Sequence, residues 1–312
     1  MDELIRHLTD VDPVDISGER VDCPKGMPFD RAWQEWLTFI GASQDRYQGP
    51  PAPRPDTHRI RLVAAADFHI PFHDKAAVAD LIALEGGRTD VLLIGGDFGD
   101  AHSVSNHVKY EHIPYEVESA EKTLVLQELS QAFPKVLFMR GSNHSDRVEK
   151  RLRENLSRDM IAAVYELAGG TLNPDVALVN RYPNVSMASW KTPEGIDMGW
   201  LVVVGDVAFC HAEQYSKVPA SVLRSLHERL DDNRKLWGLP EIRCVVQFHT
   251  HAQCLLPWRD DVLLIEPGCM ARPMGYQHQA GRGGRPQRVG YVAMELEDGR
   301  VDFDSVKLRW MR

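Results

Sequence analysis

Five short apolar runs, each followed within two residues by Asp, Asn or His, constrain the fold of this chain more than any other feature. Short apolar runs bounded by turn residues are typical of strands buried on both faces. In open α/β sheets, the loops beyond the carboxyl ends of strands line the crevice that binds ligands. We therefore expect five strand ends to bring polar side chains together. The runs and these side chains are 63–66 with Asp67 and His69, 91–96 with Asp97, 136–141 with Asn143 and His144, 207–210 with His211, and 244–248 with His249 and His251.

The order of the predicted elements favours an α/β fold with layered sheets. Strands are predicted over 59–66, 90–95 and 135–139, and they alternate with helices over 74–85, 115–132 and 145–167. The second half is richer in strand, with a hairpin over 200–210 that turns at Gly205 and Asp206 and a helix over 218–237. Further strands are predicted over 243–248, 262–265, 290–296 and 301–308. Both halves fit a sandwich of two mixed β-sheets flanked by helices.

Residues 1–58 differ from the rest of the chain. Trp33, Trp36, Leu37 and Ile40 recur at helical spacing, and the proline-rich run 49–55 follows them. Such a run forms neither a helix nor a central strand, so it reads as an extended linker. The predicted division is a helical N-terminal extension with a Pro-rich linker over 1–58 and a larger domain over 59–312.

Composition and charge exclude several classes of protein. The formal net charge of −9 argues against unspecific coating of nucleic acid, although a local basic patch stays compatible with it. The five cysteines have no CxxC spacing, which favours reduced thiols over a disulfide framework or a zinc knuckle. No apolar run approaches the ~20 residues that a membrane span needs. We expect a cytoplasmic protein without a membrane partner, and the sequence assigns no oligomeric state.

The polar residues at the strand ends also suit a metal centre. Taken singly, each has a simpler interpretation: Asp67 and Asn143 as helix caps, Asp97 as a turn residue, His211 as a core histidine. Taken together, imidazoles, carboxylates and an amide without thiolates suit manganese, iron, zinc or nickel. Seven ligands are too many for one ion and suit two that share a carboxylate. Two ions roughly 3.5–4 Å apart clamp an in-line phosphoryl displacement.

In this order, the motifs resemble those of the calcineurin-like metallophosphoesterases, which are D-x-H, G-D-x-x-D, G-N-H, a lone H and G-H-x-H. The resemblance covers roughly residues 60–275 and is greatest to bacterial and phage-borne members, in which an acidic residue and an arginine follow G-N-H. Here the motifs stand as Asp67-Phe-His69, Gly96-Asp-Phe-Gly-Asp100, Gly141-Ser-Asn-His144, His211 and Phe248-His-Thr-His251, with Arg147 after the third.

The resemblance implies a four-layer α/β/β/α sandwich with its catalytic domain at 59–312, and a role for each site residue. Asp67, His69 and His251 would hold one divalent ion, Asn143, His211 and His249 a second, and Asp97 would bridge them. Manganese is the expected metal in vitro. His144 would face the leaving oxygen as a general acid or a stabiliser of charge. Asp100 would orient His144, with a helix or turn cap as the alternative.

Three departures from the family pattern concern the loops. Ser142 is an extra residue between Gly141 and Asn143, and Phe248 replaces the usual glycine. Both leave every ligand type in place. Ala101 stands where protein phosphatases have an arginine, which weakens the case for a phosphoprotein substrate.

The expected function is hydrolysis of phosphate esters by a hydroxide that two metal ions share. Phosphodiesters of nucleotide or nucleic-acid type are the expected substrates, and a phosphomonoesterase is the alternative. A binding scaffold with a decayed metal site is the alternative from another class, and the full ligand set argues against it. A basic loop over 281–288, with Arg282, Arg285 and Arg288, either meets substrate phosphates or is simply solvated.

Overall fold

The computed structural model describes residues 59–105, 113–167, 171–259, 261–273 and 286–311. The predicted helical extension and linker over 1–58 lie outside the described residues, so the division of the chain at 58/59 stays a prediction. None of the helices in the described ranges combines the length and the apolarity that crossing a bilayer requires.

The described residues form thirteen strands and seven helices, with a single 3₁₀ turn at His102–Val104. The strands are β1 (Arg59–Ala65), β2 (Val91–Ile94), β3 (Val136–Met139), β4 (Val185–Ala188), β5 (Trp190–Lys191), β6 (Asp197–Met198), β7 (Leu201–Val204), β8 (Val207–Cys210), β9 (Cys244–Gln247), β10 (Gln253–Trp258), β11 (Val262–Pro267), β12 (Gly290–Glu297) and β13 (Arg300–Trp310). The helices are α1 (Lys75–Glu85), α2 (Tyr115–Ala132), α3 (Asp146–Asn155), α4 (Arg158–Leu167), α5 (Pro174–Val179), α6 (Ser221–Asp232) and α7 (Arg234–Trp237).

Two mixed sheets carry most of these strands. The first has the order β13-β12-β1-β2-β3-β4, and β1 to β4 run parallel in it. The second has the order β10-β11-β9-β8-β7, with β8, β9 and β11 parallel. Because parallel strands end at the same edge, the residues after β1, β2 and β3 leave one edge of the first sheet. Those after β8 and β9 leave one edge of the second.

Alternation along the strands creates the layers. On β1, Leu62 and Ala64 face a buried cluster that β8 and β9 of the second sheet also line, while Val63 and Ala65 face α1 and α2. The outer face of the second sheet is covered by α6 through Leu223 and its neighbours. The expected α/β/β/α sandwich is therefore confirmed. The strands read as continuous apolar runs because both of their faces are buried.

Each of two predicted long helices is divided into two shorter helices, and some short elements were not predicted. The helix predicted over 145–167 breaks at Leu156, which is extended (φ −110°, ψ 148°), and Ser157 Oγ then accepts the Met160 N–H at 3.3 Å to start α4. The helix predicted over 218–237 is interrupted at Asn233, between α6 and α7. An apolar stripe continues across such a break, so periodicity alone does not reveal it. The elements without a prediction are α5, β4, β5, β6 and β10.

Leu93 tests the contact between the two sheets. Its side chain is fully buried in the cluster between them, so we expect Leu93→Ala to lower the free energy of unfolding by about 2–5 kcal/mol through lost burial and a cavity. Leu84→Ala on α1 is the control, because Leu84 is 46% exposed, and its effect should stay within about 0.5 kcal/mol. Urea unfolding of both variants gives the comparison, and equal losses would contradict this description of the core.

Candidate metal centre

The structure brings six of the seven predicted ligands together where the two sheets meet, and it places Asn143 between Ser142 and His144, which both contact Asp97. Asp67 and His69 follow β1, Asp97 follows β2, and Asn143 follows β3. His211 follows β8 of the opposite sheet, while His249 and His251 follow β9. Their roles stay predictions.

The first group consists of Asp67, His69 and His251. The two Nε2 atoms of His69 and His251 are 3.0 Å apart, and His251 Nε2 is 3.4 Å from Asp67 Oδ1. His69 Nδ1 faces the Asp100 carboxylate at 3.1 Å, which leaves Nε2 as its lone-pair nitrogen. A carboxylate oxygen and two ring nitrogens thus converge, as ligands of one cation do.

The second group consists of Asp97, His211 and His249, whose ligand atoms lie within 4.8 Å of one another. His211 donates its Nδ1 proton to the Gly95 carbonyl at 2.8 Å, and its Nε2 lies 3.2 Å from Asp97 Oδ2. The same Asp97 oxygen is 3.9 Å from His69 Nε2 in the first group. Asp97 therefore lies between the two groups, as a shared carboxylate must.

Four buried atoms of the predicted ligands have no hydrogen-bond partner. They are Asp67 Oδ1, Asp97 Oδ2, Asn143 Oδ1 and His211 Nε2. Buried polar atoms are normally satisfied, and acceptors that converge in this way are satisfied by a cation. The second oxygen of each carboxylate is held in place, since Asp67 Oδ2 accepts the His249 N–H at 2.9 Å and Asp97 Oδ1 accepts the His144 N–H at 3.1 Å. The residues present therefore fit a metal pair.

Backbone strain is concentrated at the same positions. Nine non-glycine residues of the described ranges have positive φ, and five of them are predicted ligands. Such conformations cost of order 1–3 kcal/mol each and persist where the surrounding structure enforces them, often at functional sites. The five are Asp67, His69, Asp97, His249 and His251, with φ between 46° and 71°.

Asp100 joins the first ligand group to His144. Its Oδ1 is 3.1 Å from His69 Nδ1 and 3.1 Å from His144 Nδ1, and its backbone carbonyl is 2.9 Å from the latter. The Nε2 atom of His144 lies 3.8 Å from Asp97 Oδ2. The ligand atoms of His69, Asp100 and His144 lie within 4.8 Å of one another, so this third cluster shares His69 with the first group. The side chains of Asp100 and His144 thus contact each other, and their predicted roles stay predictions.

The charges around these rings shift their pKa values in a consistent way. Burial would lower the pKa of His211, but the Asp97 and Asp67 carboxylates outweigh it and raise that pKa to about 9. Burial would also lower the pKa of His144, and the positive charge of Arg147 acts in the same direction. The Asp97 and Asp100 carboxylates outweigh both and raise that pKa. For Asp100, burial favours the neutral acid, but hydrogen bonds from His144 and His69 lower its pKa. The centre thus attracts positive charge.

Both departures in the ligand loops have a structural explanation. The extra residue Ser142 accepts the Asp97 N–H with its Oγ at 3.0 Å, so it helps to hold the candidate bridging carboxylate. Phe248 is fully buried, and its ring stacks on Phe209. A Cβ at Gly95 would lie 2.1 Å from the Phe248 ring, so the glycine before Gly96 makes room for this aromatic residue.

Two residues at the centre received no role from the sequence. Arg147 lies one helical turn after His144, and its Nη2 is 2.8 Å from His144 Nε2 while its Nη1 donates to the Asp100 carbonyl at 2.9 Å. Its i+3 spacing from the histidine was a usable signal. Glu118, in the first turn of α2, accepts the N–H groups of the two residues after Asp100. No sequence pattern near Glu118 indicates this contact.

The role of the basic loop over 281–288 stays a prediction. Arg282 and Arg285 lie outside the described residues. The guanidinium of Arg288 lies over the Trp310 ring, 5.3 Å from its centroid, and the Arg288 N–H donates to the His251 carbonyl at 2.8 Å.

No protein-family model and no curated protein matches the chain, whereas solved structures do. Vps29 of Chaetomium thermophilum is 11% identical, with 76% of this chain and 85% of that chain covered and a TM-score of 0.39. A conserved uncharacterized protein of Streptococcus pneumoniae, described as a predicted phosphoesterase, is 10% identical over 82% and 100%, with a TM-score of 0.31. Vps29 of Entamoeba histolytica complexed with zinc is 10% identical over 81% and 98%, with a TM-score of 0.36.

The fold resembles that of the calcineurin-like metallophosphoesterases. The two-sheet sandwich and the five motifs at its strand ends carry this resemblance. The likenesses to solved structures have identities and TM-scores too low to say anything about the chemistry of this chain.

Metal stoichiometry tests the two ligand groups. We expect the purified protein to bind about two divalent transition-metal ions per chain, because seven ligands exceed the positions that one ion offers. Asp97→Asn should reduce the bound metal, since it weakens the carboxylate between the groups. Asp80→Asn on the exposed face of α1 is the control and should bind as the wild type does. Manganese titration calorimetry and elemental analysis measure both, and one ion in saturated wild type would contradict the two groups.

Proposed function

We propose that this chain is a dinuclear-metal-dependent phosphoesterase that hydrolyses phosphodiesters of nucleotide or nucleic-acid type. The observation that carries the proposal is the set of four unsatisfied buried ligand atoms beside the His144–Asp100 pair. Binding groups for cations and a positioned histidine next to them are what phosphoryl transfer to water needs. Manganese is the metal we propose for activity in vitro.

When bound, the metal pair supplies Lewis acidity and a water activated near neutral pH. Asp67, His69 and His251 would hold one ion, and Asn143, His211 and His249 the other, with Asp97 between them. Asp67 and Asp97 are oriented for this task by the backbone N–H groups of His249 and His144. The buried setting keeps bulk water from competing with these ligands.

In this proposal His144 delivers a proton to the leaving oxygen from its Nε2. Asp100 binds its Nδ1 and fixes the ring, so that Nε2 points to the candidate metal pair, 3.8 Å from Asp97 Oδ2. In the described conformation Arg147 donates to that Nε2, which requires a lone pair there. Before His144 can donate from this nitrogen, the Arg147 guanidinium has to turn onto a substrate oxygen or away, and Nε2 has to take up a proton from water. Arg147 would then stabilise the charge of the phosphoryl group.

One observation favours the alternative of a phosphomonoesterase. The Arg147 guanidinium beside His144 is suited to bind the additional negative charge of a monoester in bidentate fashion. The alternative of a scaffold with a decayed metal site loses support, because none of the seven ligand types is missing.

A panel of metals against chromogenic esters tests the proposed function. We expect hydrolysis of bis(4-nitrophenyl) phosphate at least as fast as that of 4-nitrophenyl phosphate, with manganese as the best activator and complete loss of activity in chelator. A strong preference for the monoester assigns the chain to the phosphomonoesterases. Full activity in chelator would contradict metal-dependent hydrolysis, and binding of metal without turnover of any ester would favour the scaffold.

Variants of His144 and Asp97 separate proton transfer from metal binding. We expect His144→Ala to keep both metal ions and to lose about 10²–10⁴-fold in kcat, the usual range for a positioned acid or base. Asp97→Ala should lose metal and activity together. Steady-state kinetics and elemental analysis on the same preparations distinguish the two variants. Loss of metal from His144→Ala would show that His144 is a ligand.

A further inference from the structure

The loop that follows Asp100 is held by one buried carboxylate. Glu118, in the first turn of α2, is 1% exposed. Its Oε1 accepts the Ala101 N–H at 2.8 Å, and its Oε2 accepts the His102 N–H at 3.0 Å. Both oxygens of Glu118 are thus used on two consecutive backbone donors immediately after Asp100.

These two hydrogen bonds stabilise a backbone conformation that the residue itself disfavours. Ala101 has φ +49° and ψ 42°, the left-handed region that side chains with a Cβ rarely adopt. The turn at Ala101 orients two successive N–H groups toward the same side, where a charged acceptor binds them more strongly than a neutral one. Removing that acceptor should let the turn relax to an ordinary conformation and displace Asp100.

Gly99 in the G-D-F-G-D motif leaves space for the Glu118 carboxylate. A Cβ added at Gly99 would lie 2.7 Å from Glu118 Oε1 and 2.9 Å from Lys122 Cδ. Gly99 has no positive φ, so space rather than backbone freedom accounts for the glycine. Lys122 is buried beside it and pairs with Asp175 at the start of α5, which closes this side of the loop.

We propose that Glu118 is a positioning residue for the proposed phosphoesterase reaction, and the inference rests on that proposed function. By holding Ala101 and His102, Glu118 places Asp100 between the rings of His69 and His144. Because one Asp100 oxygen is 3.1 Å from both Nδ1 atoms, a shift of Asp100 loosens the ring that serves the leaving oxygen. Glu118 itself does not touch the candidate ligand atoms.

An acidic residue in the first turn of a helix also stabilises that helix through its dipole, so the control must share that effect. Glu116 lies in the same turn of α2 and is exposed. Glu116→Gln removes the same charge from the same helix end without touching the Asp100 loop. A difference in kcat between Glu118→Gln and Glu116→Gln is therefore due to the hydrogen bonds from Glu118 to the loop after Asp100.

The experiment compares two substrates that differ in leaving group, in the ester class that the wild type cleaves. A 4-nitrophenolate leaves without much help, whereas a phenolate, being more basic, depends more on a proton from His144. We expect Glu118→Gln to lower kcat about 10-fold to 100-fold on the phenyl ester and less than about 3-fold on the 4-nitrophenyl ester. KM should change less than about 2-fold, and the bound metal should equal that of the wild type. Glu116→Gln should match the wild type on both esters.

Gly99→Ala is the second variant, because the added methyl group would push Glu118 out of place with its charge intact. It should reproduce the same dependence on the leaving group. Equal losses on both esters, or no loss on either, would overturn the positioning role while leaving the proposed function standing. A wild type that hydrolyses no ester overturns the proposed function and this inference together. Thermal melts of each variant exclude loss of the fold as the cause.

Discussion

The centre depends on two fully buried carboxylates, Asp67 and Asp97. A buried carboxylate is costly unless it is paired and hydrogen-bonded, and the effective penalty is several kcal/mol per ion. Each of the two uses one oxygen to accept a backbone N–H from another motif, His249 for Asp67 and His144 for Asp97. The first bond ties a strand end of the first sheet to one of the second, and the second bond ties two strand ends within the first sheet. The remaining oxygens point inward with no partner, so the same bonds that stabilise the loops also prepare a site for cations.

Strained backbone and crowded glycines follow from this constraint. To point inward from a strand end, Asp67, His69 and Asp97 adopt positive φ, and loop hydrogen bonds such as His69 N–H to the Asp97 carbonyl at 2.9 Å hold them there. Gly96 has φ +99°, and a Cβ there would lie 2.7 Å from His211 Nδ1. The loops therefore pack too closely for other residues at these points, and the two-layer core behind them supplies the rigidity.

The area around His144 shows a division of tasks among side chains from separate elements. Asp100 contacts Nδ1 of the His144 ring, Arg147 contacts its Nε2, and Glu118 holds the loop that carries Asp100. A histidine that serves a leaving group has to be held within a fraction of an ångström, because small misplacements cost large factors in rate. Helices α2 and α3 provide that support, because Glu118 and Arg147 in their first turns bind the backbone of residues 100–102.

The sequence by itself determined the residue types at the strand ends and the layered α/β pattern. A strand buried on both faces is a short continuous apolar run, which can be recognised from the local sequence. The sequence also placed α2 correctly, whereas the breaks at Leu156 and Asn233 were hidden within continuous apolar stripes. Only the tertiary structure decided which oxygen of Asp67 and Asp97 is free, that Asp100 lies between His69 and His144, and that Phe248 rests on Gly95. Those contacts join residues far apart in the chain. They follow from how two sheets pack and how their loops share space, which no local pattern encodes.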